Sequence, residues 1–149
     1  FTRAYAGYPI CHVSRAQMLT GTHAFKALPK YPAGAIDPRL ATLAGTFQKA
    51  GWHTCYSGKW HNDGHPAERG YTTTSALFSS GGAKKLTQPE VDERGCPLTG
   101  YRGWTFKSAQ NLPEIEKGAG LQPDNSRHIA DGAIQAIQSA PKDNHGFCM

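Results

Sequence analysis

Cys11-His12-Val13-Ser14-Arg15-Ala16-Gln17-Met18-Leu19-Thr20-Gly21 places a cysteine shortly before an arginine, in a segment whose later residues favour a helix. The pattern predicts a short helix over residues 14–19, with Cys11 in the turn that leads into it. Free backbone N–H groups and the positive end of the helix dipole favour an anion at such a position. Arg15 can point back at the same anion.

Local signals set the expected bounds of this first helix. Ser14 can cap its start, and Gly21 can end it because glycine readily adopts the left-handed conformation. Met18 and Leu19 are expected to face the core. Before the helix, residues 1–8 predict a short strand or extended segment.

A helix followed by a strand is predicted next in the chain. Apolar residues recur at helical spacing over residues 40–50, and Gly51 follows as a stop. Residues 52–57 are aromatic and β-branched in character and predict a buried strand that contains Cys55. This order is half of a βαβ unit, and it favours an α/β fold.

The tetrapeptide Gly58-Lys59-Trp60-His61 comes directly after the predicted strand. Open α/β sheets place their sites at the carboxyl ends of strands. Because alternate residues of an extended segment face the same side, we expect Lys59 and His61 to share one cavity while Trp60 packs away from it. A cation beside an imidazole suits the binding of an anion and proton transfer to a leaving oxygen.

Both segments resemble the sulfatase family. Its signature is Cys-x-Pro-Ser-Arg followed several residues later by Thr-Gly, and a Gly-Lys-Trp-His motif follows a helix and a strand. The matching residues of the first motif are Cys11, Ser14, Arg15, Thr20 and Gly21. Val13 stands where the family has proline or sometimes alanine. The resemblance covers most of the chain loosely and includes Glu68-Arg69-Gly70-Tyr71, similar to the family's Arg-Gly-Phe segment.

The resemblance implies an α/β fold of the alkaline-phosphatase-like type, a three-layer α/β/α sandwich that is incomplete in this chain. We interpret residues 1–149 as part of a single sulfatase catalytic domain, an internal fragment of its N-terminal portion. The chain opens without methionine or a visible signal peptide, and Phe147-Cys148-Met149 reads as a strand cut short.

Hydrolysis of sulfate esters is the activity that the resemblance implies. Cys11 would be oxidised to formylglycine, whose hydrate attacks sulfur and gives one hydroxyl to a divalent metal, usually Ca²⁺. Arg15 would steady the hydrate, Lys59 would bind a sulfate oxygen, and His61 would stabilise the second hydroxyl or assist its proton transfer. The remaining metal ligands are expected outside this sequence, so the chain alone should be inactive.

The implied partners are a sulfated small molecule or carbohydrate and a formylglycine-generating or other sulfatase-maturing enzyme. Two alternatives stay open. A phosphonate or phosphate ester hydrolase of the same superfamily would use the same residues, and Val13 is compatible with a non-catalytic relative. Periplasmic, secreted or lysosomal proteins are usual in the family, but the sequence predicts no compartment.

Composition narrows the remaining function classes. The net charge is +5, yet basic residues are scattered and Lys84-Lys85 is the one adjacent pair, so we expect no nucleic-acid partner. No apolar run is long enough to predict a membrane span. None of the four cysteines forms a Cys-x-x-Cys motif, which argues against zinc. A disulfide between Cys96 and Cys148 stays open.

The rest of the chain carries weaker signals. Prolines and glycine predict an irregular segment over residues 22–39. Asp63 and His65 are interpreted as loop residues rather than metal ligands. Residues 72–112 give little beyond a possible aromatic strand over 101–106, in which Tyr101 and Trp104 are expected to pack in the core rather than stack on a ligand ring.

A long helix is predicted from Asp124 onward. Asp124 or Ser126 can cap it, and Pro141 can stop it. His128 is interpreted as structural, and a strand is expected to begin at Phe147. The predicted apolar stripe consists of Ile129, Ala130, Ala133, Ile134 and Ile137.

Overall fold

The computed structural model describes residues 2–78, 106–108, 110, 113–114, 123–142 and 145–148. The helices are α1 Cys11–Thr20, α2 Ala24–Ala27, α3 Leu43–Lys49 and α4 Pro123–Ser139, with a 3₁₀ helix at Pro66–Arg69. The strands are β1 His53–Lys59, β2 Thr73–Phe78, β3 Phe106–Lys107, β4 Pro113–Glu114 and β5 Gly146–Cys148.

The strands form one mixed sheet in the order β4-β3-β2-β1-β5. β1 is parallel to both of its neighbours, so that Cys55 pairs with Thr73 of β2 and with Cys148 of β5. β3 is antiparallel to β2 and to β4. The predicted strands at residues 52–57 and at Phe147 are confirmed. β2 was not predicted, because its Thr-Thr-Ser-Ala-Leu-Phe sequence lacks a clear alternation of polar and apolar residues.

Helices cover both faces of the sheet. On one face, the Ser57 hydroxyl of β1 donates a hydrogen bond to the Ile129 carbonyl of α4 at 2.8 Å. On the other face, the Tyr56 ring packs beside Trp60, and Arg15 of α1 donates to the Tyr56 hydroxyl. This arrangement confirms the predicted three layers. The main core cluster contains Val13, Ala16, Leu19, Ala24, Ala27, Leu28, Ile36, Ala44, Tyr56, Trp60, Tyr71 and Leu77.

α1 begins at Cys11 rather than at Ser14, so the prediction that Ser14 caps the helix is wrong. The N-cap is Ile10, and the Ser14 N–H already makes a helical bond to the Ile10 carbonyl at 2.9 Å. Gly21 ends the helix in the left-handed conformation, as predicted. Leu19 is buried, but Met18 is 59% exposed, because the buried stripe runs along Val13, Ala16 and Leu19 instead.

The segments around α1 also differ in detail from the sequence-based expectation. Residues 2–10 pair with no strand in the described part of the chain, and α2 interrupts the segment expected to be irregular. α3 begins at Leu43, three residues later than predicted. The cause is Thr42, whose hydroxyl accepts a hydrogen bond from the Gly45 N–H and thereby caps the helix.

α4 begins at Pro123, so neither Asp124 nor Ser126 is its cap. Among residues 126–139 of this helix, the buried positions are Gly132 and Ala136, whereas Ile134 and Ile137 are exposed. A Cβ atom added at Gly132 would lie 2.8 Å from the Ser75 hydroxyl oxygen of β2. The helix therefore approaches the sheet with its smallest residues, and the predicted isoleucine stripe is only partly correct. The helix ends before Pro141, as predicted.

Several expectations lie outside the described residues. They concern Lys84-Lys85, Cys96, Tyr101 and Trp104. In the helices that the structure describes, none combines the length and apolar character needed to cross a membrane.

Candidate active site

The two predicted motif segments meet at one place in the fold. Cys11 is the first residue of α1 and is exposed. His61 lies just after β1, and its Nδ1 atom is 2.9 Å from the Cys11 Sγ atom, within hydrogen-bond distance. A thiol and an imidazole that are far apart in the sequence are thus in direct contact at the surface.

Arg15 connects α1 to the second segment by a different route. Its Nη1 atom donates hydrogen bonds to the Lys59 carbonyl at 2.8 Å and to the Tyr56 hydroxyl at 3.1 Å. The Tyr56 hydroxyl in turn donates to the same Lys59 carbonyl. The guanidinium is therefore anchored to the end of β1, and its position depends on the backbone there.

Gly58 produces an irregularity at the end of β1. The register of β1 with β2 shifts between Ser57 and Lys59, and Gly58 has a φ of 104°, which L side chains rarely adopt. A Cβ atom there would also lie 3.2 Å from Ile129 of α4. Such bulges redirect the side chains that follow them. Gly58 and Lys59 thus belong to the strand itself, which corrects the prediction that the motif follows it.

Trp60 packs into the core, as its predicted orientation requires. It is 5% exposed and makes edge-to-face contacts with Tyr56 and Tyr71, whose ring centroids lie 5.2 and 6.1 Å away. Lys59 and His61, on either side of it, are only partly buried. The alternation predicted from the sequence is therefore observed for these three residues.

The surroundings of His61 are positively charged. Burial lowers the pKa of His61, and the positive charges of Lys59, His12 and Arg15 lower it further. The neutral imidazole is favoured as a result. A neutral histidine can accept a proton from a group at position 11.

His12 is a member of this cluster that sequence reasoning missed. Its ring lies edge-to-face with His61 at a centroid distance of 5.9 Å, and its Nε2 atom is 2.7 Å from the Pro32 carbonyl. The Asn62 side-chain amide donates to the His12 carbonyl at 3.1 Å. The only sequence signal for His12 was its position next to Cys11. The sequence of a helix does not show which way a single histidine side chain faces.

The amino end of α1 adds to the positive potential around Cys11. Its first turn contains no acidic residue, and the Ile10 N-cap provides no side-chain acceptor for the free N–H groups. The dipole of the helix favours negative charge at this end. Together with Arg15 and Lys59, the helix end forms a cationic site suited to an oxyanion, and the two histidines border it.

Asp63 and His65 have structural partners, in agreement with their interpretation as loop residues. Asp63 accepts a hydrogen bond from the Ile36 N–H at 2.8 Å and forms an ion pair with Arg69. His65 accepts from the Ala67 N–H and caps the 3₁₀ helix. Among the residues that the structure describes, no group of three or more His, Cys, Asp or Glu is arranged to hold a metal ion.

Replacing Asp63 with alanine should lower the free energy of unfolding by about 2 kcal/mol, because it leaves the Arg69 side chain, 11% exposed, without its carboxylate. Urea unfolding measures this change. Asp131→Ala is the matched control, since both side chains of its pair with Arg127 are exposed (67% and 81%), and it should cost less than about 1 kcal/mol. Equal losses in the two variants would contradict the structural role of Asp63.

The fold and the site together define an α/β protein that presents a cysteine beside a cluster of basic side chains at the carboxyl end of a central strand. The sulfatase family model matches residues 1–146. The chain therefore belongs to the sulfatase family.

Individual relatives match parts of the chain. An uncharacterized sulfatase, YidJ, from Escherichia coli is 42% identical over 65 residues, which span 44% of this chain and 13% of that protein. An ulvan-active sulfatase from Formosa agariphila is 34% identical over 108 residues, which span 62% of this chain and 20% of that protein. The chain thus covers a fifth or less of the length of these curated relatives.

Solved structures share the fold. The crystal structure of Ps i-CgsB in complex with k-i-k-neocarrahexaose superimposes with a TM-score of 0.59 at 19% identity, over 97% of this chain and 34% of that one. A second crystal structure of Ps i-CgsB gives a TM-score of 0.58 at 20% identity. The predicted alkaline-phosphatase-like α/β/α fold is confirmed.

Proposed function

We propose that the protein hydrolyses sulfate esters and that Cys11, Arg15, Lys59 and His61 form its active site. The observation that carries this proposal is the 2.9 Å contact between the Cys11 Sγ and His61 Nδ1 atoms, which joins the two family motifs. Membership in the sulfatase family supports the reaction class. The cationic surroundings of Cys11 support an anionic substrate.

Cys11 is proposed as the precursor of formylglycine, whose hydrate supplies a hydroxyl nucleophile for the sulfur atom. The thiol is exposed and lies at the start of α1, where a maturing enzyme can reach it. We propose that His61 takes a proton from a group at position 11, a role supported by the 2.9 Å between its Nδ1 atom and Cys11 Sγ. A neutral imidazole, which its surroundings favour, is the form that this role requires.

Arg15 and Lys59 are proposed to hold the negative charge of the sulfate group and of the nucleophile. Arg15 is anchored through Nη1, and within the described residues its Nε and Nη2 atoms make no hydrogen bond. A guanidinium presents several N–H donors in a fixed plane, which suits a tetrahedral oxyanion. Donors fixed before the reaction stabilise the charge that develops during it.

Calcium is proposed as the cofactor on the basis of family membership, with position 11 as one oxygen ligand after oxidation. The side chains around Cys11 in the described residues are cations and histidines rather than the oxygen donors that Ca²⁺ prefers. These side chains therefore do not fit the role of the other calcium ligands. We therefore assign no step of the reaction to the metal.

Sulfated carbohydrates are the proposed substrate class, with a sulfated small molecule as the broader possibility. The relative from Formosa agariphila is an ulvan-active sulfatase, and the solved structure of Ps i-CgsB contains a neocarrahexaose. Both names connect related proteins with saccharides. A maturing enzyme that oxidises Cys11 is the proposed protein partner.

Turnover of an aryl sulfate by the full-length natural protein, compared with an aryl phosphonate and an aryl phosphate, tests this function. We expect the sulfate ester to be hydrolysed with the largest kcat/KM. A preference for the phosphonate would favour the related hydrolase instead. Mass spectrometry of the Cys11 peptide from the native host tests whether Cys11 is oxidised although Val13 replaces the family's proline. An unmodified thiol would support a non-catalytic relative.

A further inference from the structure

We propose that Tyr56 is a positioning residue, whose hydroxyl, together with the Lys59 carbonyl, holds the Arg15 guanidinium in the geometry needed to bind a sulfate group. This inference rests on the proposed function and extends it to a residue outside both family motifs. Tyr56 lies in the interior of β1, where the sequence indicates only a core aromatic residue.

The Arg15 guanidinium, the Tyr56 hydroxyl and the Lys59 carbonyl form a closed set of three hydrogen bonds. The Arg15 Nη1 atom donates both to the Tyr56 hydroxyl, at 3.1 Å, and to the Lys59 carbonyl, at 2.8 Å. The Tyr56 hydroxyl donates to that same carbonyl. The hydroxyl thus bridges the guanidinium of one motif and the backbone of the other, so a displacement of any member moves the rest.

The Tyr56 ring is itself fixed by packing. Only 5% of the residue is exposed, and its ring lies edge-to-face with Trp60 at 5.2 Å and with Tyr71 at 5.0 Å. The cavity bordered by Arg15, Tyr56 and Trp60 measures about 10 Å³, at the lower limit for a single water molecule. The packed ring therefore holds its hydroxyl at a fixed position beside the guanidinium.

The protonation state of Tyr56 suits this role. Burial raises the pKa of the Tyr56 phenol, and the opposing effect of Arg15 is smaller. The hydroxyl consequently keeps its proton near neutral pH. It can donate to the Lys59 carbonyl and accept from Arg15 at the same time.

These contacts assign different roles to the nitrogen atoms of the Arg15 guanidinium. Nη1 of Arg15 is engaged by protein atoms, which leaves Nε and Nη2 for an anion. Without the Tyr56 hydroxyl, Arg15 would keep one bond to the Lys59 carbonyl and could rotate about it. Tyr56 is therefore expected to affect sulfate binding only through Arg15. This dependence can be tested.

A double-mutant cycle tests this dependence with inorganic sulfate as the probe. The full-length protein is produced without its maturing enzyme, so that position 11 keeps its thiol. The rate of Cys11 alkylation is then measured at increasing sulfate concentrations, and bound sulfate is detected as protection of the thiol. We expect Tyr56→Phe to raise the half-protecting sulfate concentration about tenfold. In an Arg15→Ala background the same change should have less than about a twofold effect, since its target is gone.

Tyr71→Phe is the matched control, because it removes a hydroxyl from a neighbouring buried ring, whereas the described hydrogen bonds of Arg15 go to Tyr56 and Lys59. It should show no coupling with Arg15→Ala. Thermal unfolding checks that Tyr56→Phe remains folded, as its retained ring contacts lead us to expect.

Each outcome decides the proposal. Equal effects of Tyr56→Phe in both backgrounds, or no effect in either, would overturn the positioning role. Absence of protection in the wild-type protein would also overturn it, since Arg15 would then hold no anion. Protection with the expected coupling, but no hydrolysis of an aryl sulfate by matured protein, would reject the proposed function and leave the positioning role intact.

Discussion

Cys11→Ala should reduce aryl sulfate hydrolysis by the matured full-length protein at least about 1,000-fold, because it removes the group that becomes the nucleophile. The loss should appear in kcat, since the Cys11 side chain is the group whose Sγ atom lies 2.9 Å from His61 Nδ1. Stability should change little, as the Cys11 side chain is exposed. Initial rates over a range of substrate concentrations, together with thermal unfolding, measure both quantities.

The control for this experiment is Cys55→Ala. Cys55 is the other cysteine whose side chain the structure describes, and it is 3% exposed within β1. Its removal should cost some stability through lost packing but leave kcat within about threefold of the wild-type value. If Cys11→Ala retained activity comparable to that of Cys55→Ala, the nucleophile would have to lie elsewhere and the proposed site would be wrong.

The sequence identified the residues that meet at the site but not the geometry that brings them together. The family motifs indicated Cys11, Arg15, Lys59 and His61, and the alternation around Trp60 predicted which side chains pack inward. The contact between Arg15 and the Lys59 carbonyl is a long-range backbone interaction. No local pattern encodes such a contact, and the same is true of the bridge through Tyr56.

Errors in the predicted helices have a common physical origin. Ser14 was a plausible cap by residue type, yet the helix begins three residues earlier because tertiary packing of Val13 and Ala16 extends it. In α4, Ile134 and Ile137 were expected to face the sheet, but Gly132 makes the close approach and these two isoleucines are exposed. Burial by neighbouring elements thus outweighed local preference in both cases.

Gly70→Ala should lower the free energy of unfolding by about 4 kcal/mol or more. Gly70 has a φ of 97°, and a Cβ atom there would lie 2.3 Å from the Gly45 nitrogen and 2.4 Å from the Gly45 Cα atom. Both contacts are with backbone, which cannot move away as a flexible side chain can. The substitution must therefore separate α3 from the turn that leads into β2.

Gly51→Ala separates this clash from backbone strain alone. Gly51 has a similar φ of 84°, but a Cβ atom there would meet nothing within 4 Å. Its substitution should cost about 1–2 kcal/mol from the left-handed conformation. Urea unfolding of the two variants measures the difference. A Gly70→Ala loss no larger than that of Gly51→Ala would show that α3 does not pack against Gly70 this closely. The hydrogen bond from the Thr54 hydroxyl of β1 to the Gly70 carbonyl, at 2.6 Å, would then be in doubt as well.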